Sequence, residues 1–332
     1  MNVAFRRPSV SLCLVLASFR VASQTAASQD LGQTSVKASK VQHQMAELNP
    51  IATFVVKGRP DWMAVTDDAV WVTSSNVNHV VRLNAKTNQP DTVVTVAEPC
   101  SGLAFGFGSL WIPSCGDHNI VRVDAQTGRL EARIAAGPAD HEGGIAVGAG
   151  SVWIVTSKNG VLARIDPATN TVKSSIRIPA GSFNLAFANG SIWITSYAGN
   201  TLVRVDPETN KVVNQTPVGP KPRFLAVGGG SVWVLNQGEG TIARIDAVTG
   251  KRTALIDAGI PGEGGEIAFG GGAVWATVIG HPITRIDPKT NEVVGQWHGK
   301  GGDSIRVGHG SLWLTDLKGA QVWRLPLSIN NN

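Results

Sequence analysis

Residues 143–170 read GGIAVGAGSVWIVTSKNGVLARIDPATN, and this stretch decides the fold. Its apolar residues alternate with small or polar ones, a pattern that is typical of short β-strands. Ala149-Gly150 lies between the first two runs and suits a two-residue hairpin turn that needs positive φ. The third run ends in ARID, and Pro167 to Asn170 suits a type I turn that leads into a fourth run, Thr171 to Ile178. The stretch therefore predicts four antiparallel strands joined in sequence.

The same unit recurs along the chain, each time around a tryptophan. The successive tryptophans are 40, 42, 40, 40, 42 and 38 residues apart. A period near 40 with glycine-containing turns, and without long stretches of 3.6-residue periodicity, is typical of a four-stranded propeller blade. We therefore predict an all-β, seven-bladed β-propeller with four strands per blade. The tryptophans are Trp71, Trp111, Trp153, Trp193, Trp233, Trp275 and Trp313.

The two ends of the repeat region complement each other. After Val322 to Leu325 the sequence leaves no room for a fourth strand in the last repeat, whereas Ile51 to Lys57 has the pattern of an outer strand without a blade. We therefore expect residues 51–57 to complete the last blade, so that the propeller extends over residues 51–328. Such a closed ring leaves only short outer edges unpaired.

The first 50 residues are predicted to lie outside the propeller. Arg6 and Arg7 precede the apolar run Ser9 to Phe19, and small residues suited to cleavage follow within 23–27, so residues 1–27 are predicted to be a signal peptide. Residues 28–50 are expected to form a flexible lead-in. The apolar run is too short to span a bilayer, so we expect a mature chain without a transmembrane helix, secreted or periplasmic and monomeric.

Charge and motifs exclude several function classes. The chain carries 29 basic and 24 acidic residues, and removal of three arginines with the signal leaves 29 − 3 = 26 basic residues and a net charge of +2. Nucleic acid is therefore not an expected partner. The glycine-rich pairs lie between strands rather than before a helix, so they do not indicate a phosphate-binding loop.

Cys100 and Cys115 are predicted to form a disulfide, since Cys13 lies within the signal. A hairpin centred on Phe107-Gly108 pairs residues whose numbers sum to 215, and Cys100 and Cys115 meet that condition. Export supplies the oxidising conditions that the bond requires. The alternative is a metal site, but the two thiols lack a nearby set of further Cys or His ligands.

The mouth of the channel is the predicted binding face. In a propeller, the starts of the inner strands and the loops after the tryptophan strands lie at the same end, and there the residues differ from blade to blade. Acidic residues in this set suit either a hard divalent cation, Mg²⁺ or Ca²⁺, or acid–base chemistry, although no metal site is firm and no cofactor is required. The alternative is that these are solvated loop charges. The predicted ligand-binding residues are Asp61, Trp62, Glu142, Asn184, Arg223, Phe224, Glu266 and Asp303.

His141 and Glu266 are the weak catalytic candidates. They lie in the two interblade links that are longer by two residues, which produce the spacings of 42. Histidine changes its charge near neutral pH, so a His–Glu pair at the mouth suits proton transfer.

Gly148 to Ile154 followed by Arg164 to Asn170 resembles the repeat of the streptogramin (virginiamycin B) lyase-like propellers and of the YVTN-type repeat proteins, over about residues 51–326. The resemblance implies a magnesium-dependent enzyme that opens a cyclic depsipeptide by elimination, with His and Glu at the channel mouth. The family's repeats read Trp-Phe-Thr-Glu, whereas Trp71 is followed here by Val-Thr-Ser, and His141 is displaced from the inner-strand register of the family's histidine. We therefore expect first a module that binds a small molecule, peptide or protein at the mouth, and as the alternative a divalent-metal-assisted lyase or hydrolase.

Overall fold

The computed structural model describes Met1 and residues 41–329. Seven antiparallel sheets follow one another along the chain. Each inner strand contacts the inner strand of the next blade, and that of the last blade contacts that of the first, so the sheets form a closed ring. The predicted seven-bladed, four-stranded propeller is confirmed.

Each blade runs from an inner strand at the channel to an outer strand at the periphery. Blades 1 to 3 comprise the strands Pro60–Val65, Ala69–Ser74, His79–Asn84 and Gln89–Thr95; Ala104–Gly106, Ser109–Ser114, Asn119–Asp124 and Leu130–Ile134; and Ile145–Gly148, Ser151–Ser157, Val161–Asp166 and Thr171–Arg177. Blades 4 to 6 comprise Ser182–Ala188, Ser191–Ser196, Thr201–Asp206 and Lys211–Pro217; Pro222–Gly228, Ser231–Asn236, Thr241–Asp246 and Arg252–Asp257; and Glu266–Gly270, Ala273–Val278, His281–Asp287 and Glu292–His298. Blade 7 comprises Ile305–Gly308, Ser311–Asp316, Gln321–Pro326 and Ala52–Val55.

Blade 7 is closed by the early part of the chain, as predicted. Ala52–Val55 pairs antiparallel with Gln321–Pro326, with Phe54 opposite Val322. Phe54 is buried and its ring centroid lies 5.4 Å from that of Trp313. The closing strand therefore contributes both backbone hydrogen bonds and core packing.

The lead-in differs from the flexible segment predicted over residues 28–50. Gln42–Gln44 pairs in parallel with the outer strand of blade 6 as a fifth strand, and a 3₁₀ turn follows over Met45–Glu47. The His43 ring stacks on Trp297 at 5.2 Å between centroids, and Met45 is buried. Three residues carry too little periodicity to reveal a strand, and the apolar partner Trp297 lies far away in sequence. The predicted signal over 1–27, Met1 excepted, and residues 28–40 of the lead-in lie outside the described residues.

The repeated tryptophans pack between blades. Trp153 is fully buried and packs with Leu185 and Ile194 of blade 4. Its turn residues Ala149 and Gly150 have φ of 48° and 65°, as the predicted hairpin requires. All seven repeat tryptophans are equally buried.

An arginine on the third strand of most blades ties its blade to the next, and we call this set of contacts the arginine latch. The Arg164 guanidinium lies 4.9 Å from the Trp153 ring centroid, its Nε donates to Ser151 Oγ at 2.8 Å, and its Nη1 donates to Asn210 Oδ1 of blade 4 at 3.1 Å. Arg324 donates in the same way to Asn88 Oδ1 of blade 1 at 2.7 Å, so a latch also spans the ring closure. Equivalent latches to the next blade are made by Arg122, Arg204 and Arg244.

Cys100 and Cys115 form the predicted disulfide, with their Cα atoms 5.9 Å apart. Ala104 lies opposite Trp111, which is the register that the sum of 215 requires. Among the described residues, none of the helices has the length and apolar character needed to cross a bilayer.

Candidate functional site

Two successive positions at or just before the starts of the seven inner strands form two layers at one end of the channel. The plug layer is buried throughout and consists of Trp62, Gly102, Gly144, Asn184, Phe224, Glu266 and Ser304. The mouth layer precedes it by one residue in each blade and consists of Asp61, Ser101, Gly143, Phe183, Arg223, Gly265 and Asp303. Within the mouth layer, Asp61, Phe183, Arg223 and Asp303 keep part of their surface exposed.

Aromatic side chains fill the channel axis in the plug layer. The ring centroids of Trp62 and Phe224 lie 5.8 Å apart at an interplanar angle of 61°. Blades 1 and 5 are not neighbours, so this contact crosses the channel. Two aromatic side chains therefore meet across the channel axis directly beneath the mouth layer.

Glu266 is buried in the plug layer and its charge is matched. It forms an ion pair with Arg306, and it accepts hydrogen bonds from Ser304 Oγ at 2.5 Å and from the Ile305 amide at 3.3 Å. Burial raises the pKa of Glu266, and the Arg306 charge opposes that effect. Because hydrogen-bond donors surround its carboxylate, Glu266 has a structural role in the plug layer.

Asp61 and Asp303 form an acid pair in the mouth layer. Burial raises the pKa of Asp61 well above its ordinary value, and the negative charges of Asp303, Glu142 and Glu266 raise it further, as does a hydrogen bond with Asp303. Asp303 Oδ1 also accepts from the Gly265 amide at 2.9 Å. Because its pKa is raised, Asp61 keeps its proton to higher pH, so its carboxyl group can donate a hydrogen bond to the neighbouring Asp303.

Arg223 and Asp140 occupy the wall of the mouth opposite the Asp61–Asp303 pair. The Arg223 guanidinium lies 4.9 Å from the Phe183 ring centroid and 5.7 Å from that of Tyr197. Its Nη2 lies 3.6 Å from Asp140 Oδ1, and Lys158 Nζ lies 3.2 Å from Asp140 Oδ2. The stacking and the ion pair fix Arg223 in place, and its charge is already matched by Asp140.

Glu142 lies between Arg223 on one side of the mouth and Asp303 on the other. Burial raises its pKa, the Arg223 charge opposes this, and the charges of Asp303, Asp140 and Glu266 add to the increase. Its amide donates to Asp140 Oδ1 at 3.0 Å. The predicted mouth residues Asp61, Glu142, Arg223, Glu266 and Asp303 are thus brought into one electrostatic cluster, above a floor to which Trp62, Phe224 and Asn184 belong.

His141 and Glu266 are not brought together. The His141 side chain is 66% exposed and its Nδ1 lies 3.7 Å from Glu98 Oε1 at the rim, whereas Glu266 is enclosed by Arg306 and Ser304. The longer link that carries His141 turns the ring outward toward the disulfide. The two side chains therefore do not form an acid–base pair in this structure.

A preformed divalent-metal site is not found at the mouth. Within residues 41–329, the one trio of His, Cys, Asp or Glu ligand atoms that lie within 4.8 Å of one another is Cys100, Cys115 and His141, and its two sulfurs are consumed by the disulfide. Ca²⁺ takes six to eight oxygen ligands and Mg²⁺ a near-octahedral set. The mouth carboxylates do not converge closely enough to provide either set, so no step of the chemistry is assigned to a metal here.

Sequence reasoning missed Arg306, although a signal for it was present. Two residues beyond the plug position, six blades carry alanine and blade 7 carries Arg306. A single large cation among alanines that line one ring of the channel requires a buried acidic partner, which is Glu266. Asp140 and Tyr197 were missed because nothing in the repeat pattern distinguishes them. The alanines are Ala64, Ala104, Ala146, Ala186, Ala226 and Ala268.

A groove of about 1220 Å³ adjoins the mouth between blades 6 and 7. The lead-in forms one side through Met45 and Leu48, Trp323 adds an apolar wall, and Asp303 connects the groove with the acid pair. His298, at the end of the outer strand of blade 6, also lines it.

The fold and the mouth define a seven-bladed β-propeller with a cluster of acidic residues at one end of its channel. Two lyase structures have this fold: a streptogramin B lyase structure with 18% identity and a TM-score of 0.66, which covers 82% of this chain and 94% of that chain, and a virginiamycin B lyase from Staphylococcus aureus with 17% identity and a TM-score of 0.68, which covers 83% and 98%. BamB from Moraxella catarrhalis is also similar, with 13% identity, a TM-score of 0.60 and coverage of 81% and 83%. At these identities the likeness establishes the fold alone.

A sequence model of the glutamine cyclotransferase family matches residues 100–264. This region spans blades 2 to 5, so it contains Glu142 and Arg223 but neither Asp61 nor Asp303. None of the curated proteins matches the chain.

Proposed function

We propose that this protein is an exported propeller that binds an organic ligand carrying a cationic group, such as an ammonium or amidinium, in the cavity of the mouth layer. The Asp61–Asp303 pair is the observation that supports this proposal. Arg306 is paired with Glu266 and Arg223 with Asp140. In the part of the chain that the structure describes, no ion pair supplies a cation to Asp61 or Asp303.

The electrostatics of the cavity favour such a ligand. Burial and the repulsion from three neighbouring carboxylates raise the pKa of Asp61, so a bound cation that relieves this repulsion is stabilised. The partly exposed Phe183 ring adds an apolar wall for the body of the ligand. Export is supported by the disulfide, because such bonds persist in oxidising compartments.

Thermal stability measured with added cations tests the proposal. Spermidine and agmatine serve as organic probes, and MgCl₂ and CaCl₂ as inorganic ones, because a ligand of the folded state raises the melting temperature by mass action. The expected result is stabilisation by an organic cation that is lost in Asp61→Asn and kept in the rim variant His141→Ala. Equal stabilisation of the two variants would place the cation elsewhere and contradict the proposal.

A second candidate function is cyclisation of an N-terminal glutamine, which the family match favours. In that reaction the α-amine attacks the side-chain amide carbon, and ammonia leaves. One carboxylate must accept a proton from the amine and one carboxyl must donate a proton to the leaving nitrogen, and the Asp61–Asp303 pair contains both forms. Ammonia release from a glutaminyl peptide, abolished by Asp303→Asn, is the expected observation. A peptide that remains unconverted eliminates this candidate and leaves the binding proposal intact.

The divalent-metal-assisted lyase or hydrolase remains a prediction from the repeats. It requires that Mg²⁺ or Ca²⁺ assemble the mouth carboxylates into a ligand set. A rise in melting temperature with either ion, abolished by Glu142→Ala or Glu266→Ala, would support it, and an unchanged melt would argue against it.

A further inference from the structure

Two histidines of blade 6 lie against each other at the end of the blade that faces the groove. His281 begins the third strand and His298 ends the outer strand, and Ile283 pairs with Trp297 between them. The two imidazole centroids are 4.8 Å apart, with the rings at an interplanar angle of 66°. Because the strands run antiparallel, both rings emerge at the same end of the blade.

Each of these rings has a buried nitrogen that is left unsatisfied. His281 Nδ1 and His298 Nε2 have no hydrogen-bond partner among the described residues. A buried polar atom without a partner costs stability, so a pair of such atoms in contacting rings needs an explanation. Buried imidazoles that serve only as structural groups normally donate or accept a hydrogen bond.

A bound transition-metal ion would supply the missing partner. Neutral imidazole binds Zn²⁺, Ni²⁺ and Cu²⁺ through either ring nitrogen, and histidines on adjacent strands can place two such nitrogens on one ion. His298 lines the groove, so a turn of its ring toward the groove would expose Nε2 to an ion and to the water that would fill the remaining coordination positions. Mg²⁺ and Ca²⁺ prefer oxygen and do not fit this pair.

We propose that His281 and His298 form a binding site for one transition-metal ion of the Zn²⁺, Ni²⁺ or Cu²⁺ type at the edge of the groove. This site is separate from the mouth carboxylates, so it stands or falls independently of the proposed function.

Calorimetric titration of the dialysed, tag-free chain with ZnCl₂ and NiCl₂ tests the site. The expected result is one ion per chain and a rise in melting temperature, with at least a tenfold loss of affinity in His281→Ala and in His298→Ala. His141→Ala is the matched control, because that exposed histidine lies beside the disulfide, and it should bind as tightly as the unaltered chain. Any heat of binding from MgCl₂ should be the same in His281→Ala and His298→Ala as in the unaltered chain.

Two further measurements keep the test decisive. Near-ultraviolet circular dichroism shows whether each variant keeps its tertiary packing, and the electron paramagnetic resonance spectrum of bound Cu²⁺ reports nitrogen ligands directly even in a weakened variant. Absence of binding, retention of full affinity in both variants, or loss in His141→Ala alone would each overturn the site.

Discussion

Phe54→Ala is expected to destabilise the whole ring, although it alters a residue in a strand of only four residues. Phe54 is 2% exposed and packs with Trp313 of blade 7 and Met63 of blade 1, so its truncation leaves a cavity where the ring closes. Truncation of a buried phenylalanine costs about 3 to 5 kcal/mol. At about 2 °C or more per kcal/mol for a large domain, the melting temperature should fall by at least about 6 °C.

Val55→Ala in the same strand is the matched control for this experiment. Val55 is 76% exposed, so its truncation should change the free energy of unfolding by less than about 0.5 kcal/mol. Calorimetry or urea unfolding followed by tryptophan fluorescence measures both variants. If Phe54→Ala unfolds at the same urea concentration as Val55→Ala, the closing strand does not hold the ring together and the reasoning fails.

Three other predictions follow from the contacts described above. Replacement of Cys100 and Cys115 by serine should lower the free energy of unfolding by about 3 kcal/mol, and the unaltered chain should weigh two hydrogens less than its reduced form; two freely alkylated thiols would contradict this. Because the pKa of Asp61 is raised, the folded state keeps this proton to higher pH than the unfolded state does, so the free energy of unfolding should fall between the ordinary and the raised pKa, by up to about 1.4 kcal/mol per pH unit. Asp61→Asn should remove this slope, and superimposable stability–pH curves for the two proteins would refute the assignment. Arg164→Met should cost about 1.5 to 3 kcal/mol because it removes hydrogen bonds made by a charged group, whereas Arg129→Met, at a side chain that is 71% exposed, should be near neutral.

The fold was predictable because its repeat unit occurs seven times in the sequence. A tryptophan every 38 to 42 residues, each preceded by a hairpin turn, fixes the blade count and the strand order without any knowledge of side-chain contacts. The same register fixed the Cys100–Cys115 pair. The strand at Gln42–Gln44 escaped detection because it occurs once and pairs in parallel with a strand some 250 residues away.

The site was predictable only in part, for a related physical reason. Strand register placed Asp61, Trp62 and Phe224 at the channel mouth, but it did not reveal which of them meet across the axis. Whether a buried carboxylate has a cationic partner depends on side chains from other blades. Glu266 is adjacent to no basic residue in sequence, yet it is paired in the folded chain with Arg306, 40 residues further on. His141 has a suitable residue type in a suitable link, but the direction in which a loop side chain points is not encoded in spacing.

The pairing of Ala52–Val55 with Gln321–Pro326 also determines when blade 7 can be completed during synthesis of the chain. The strand that completes blade 7 is synthesised before any full blade, and its backbone groups have no partner strand until Gln321–Pro326 has been made. Blades 1 to 6 have all four of their strands earlier. The ring of blades cannot close, however, until the hairpin of Ser311–Asp316 and Gln321–Pro326 has been made. An early strand with unpaired backbone groups can pair with other chains, so accurate assembly depends on keeping Ala52–Val55 apart from them until Gln321–Pro326 has been made.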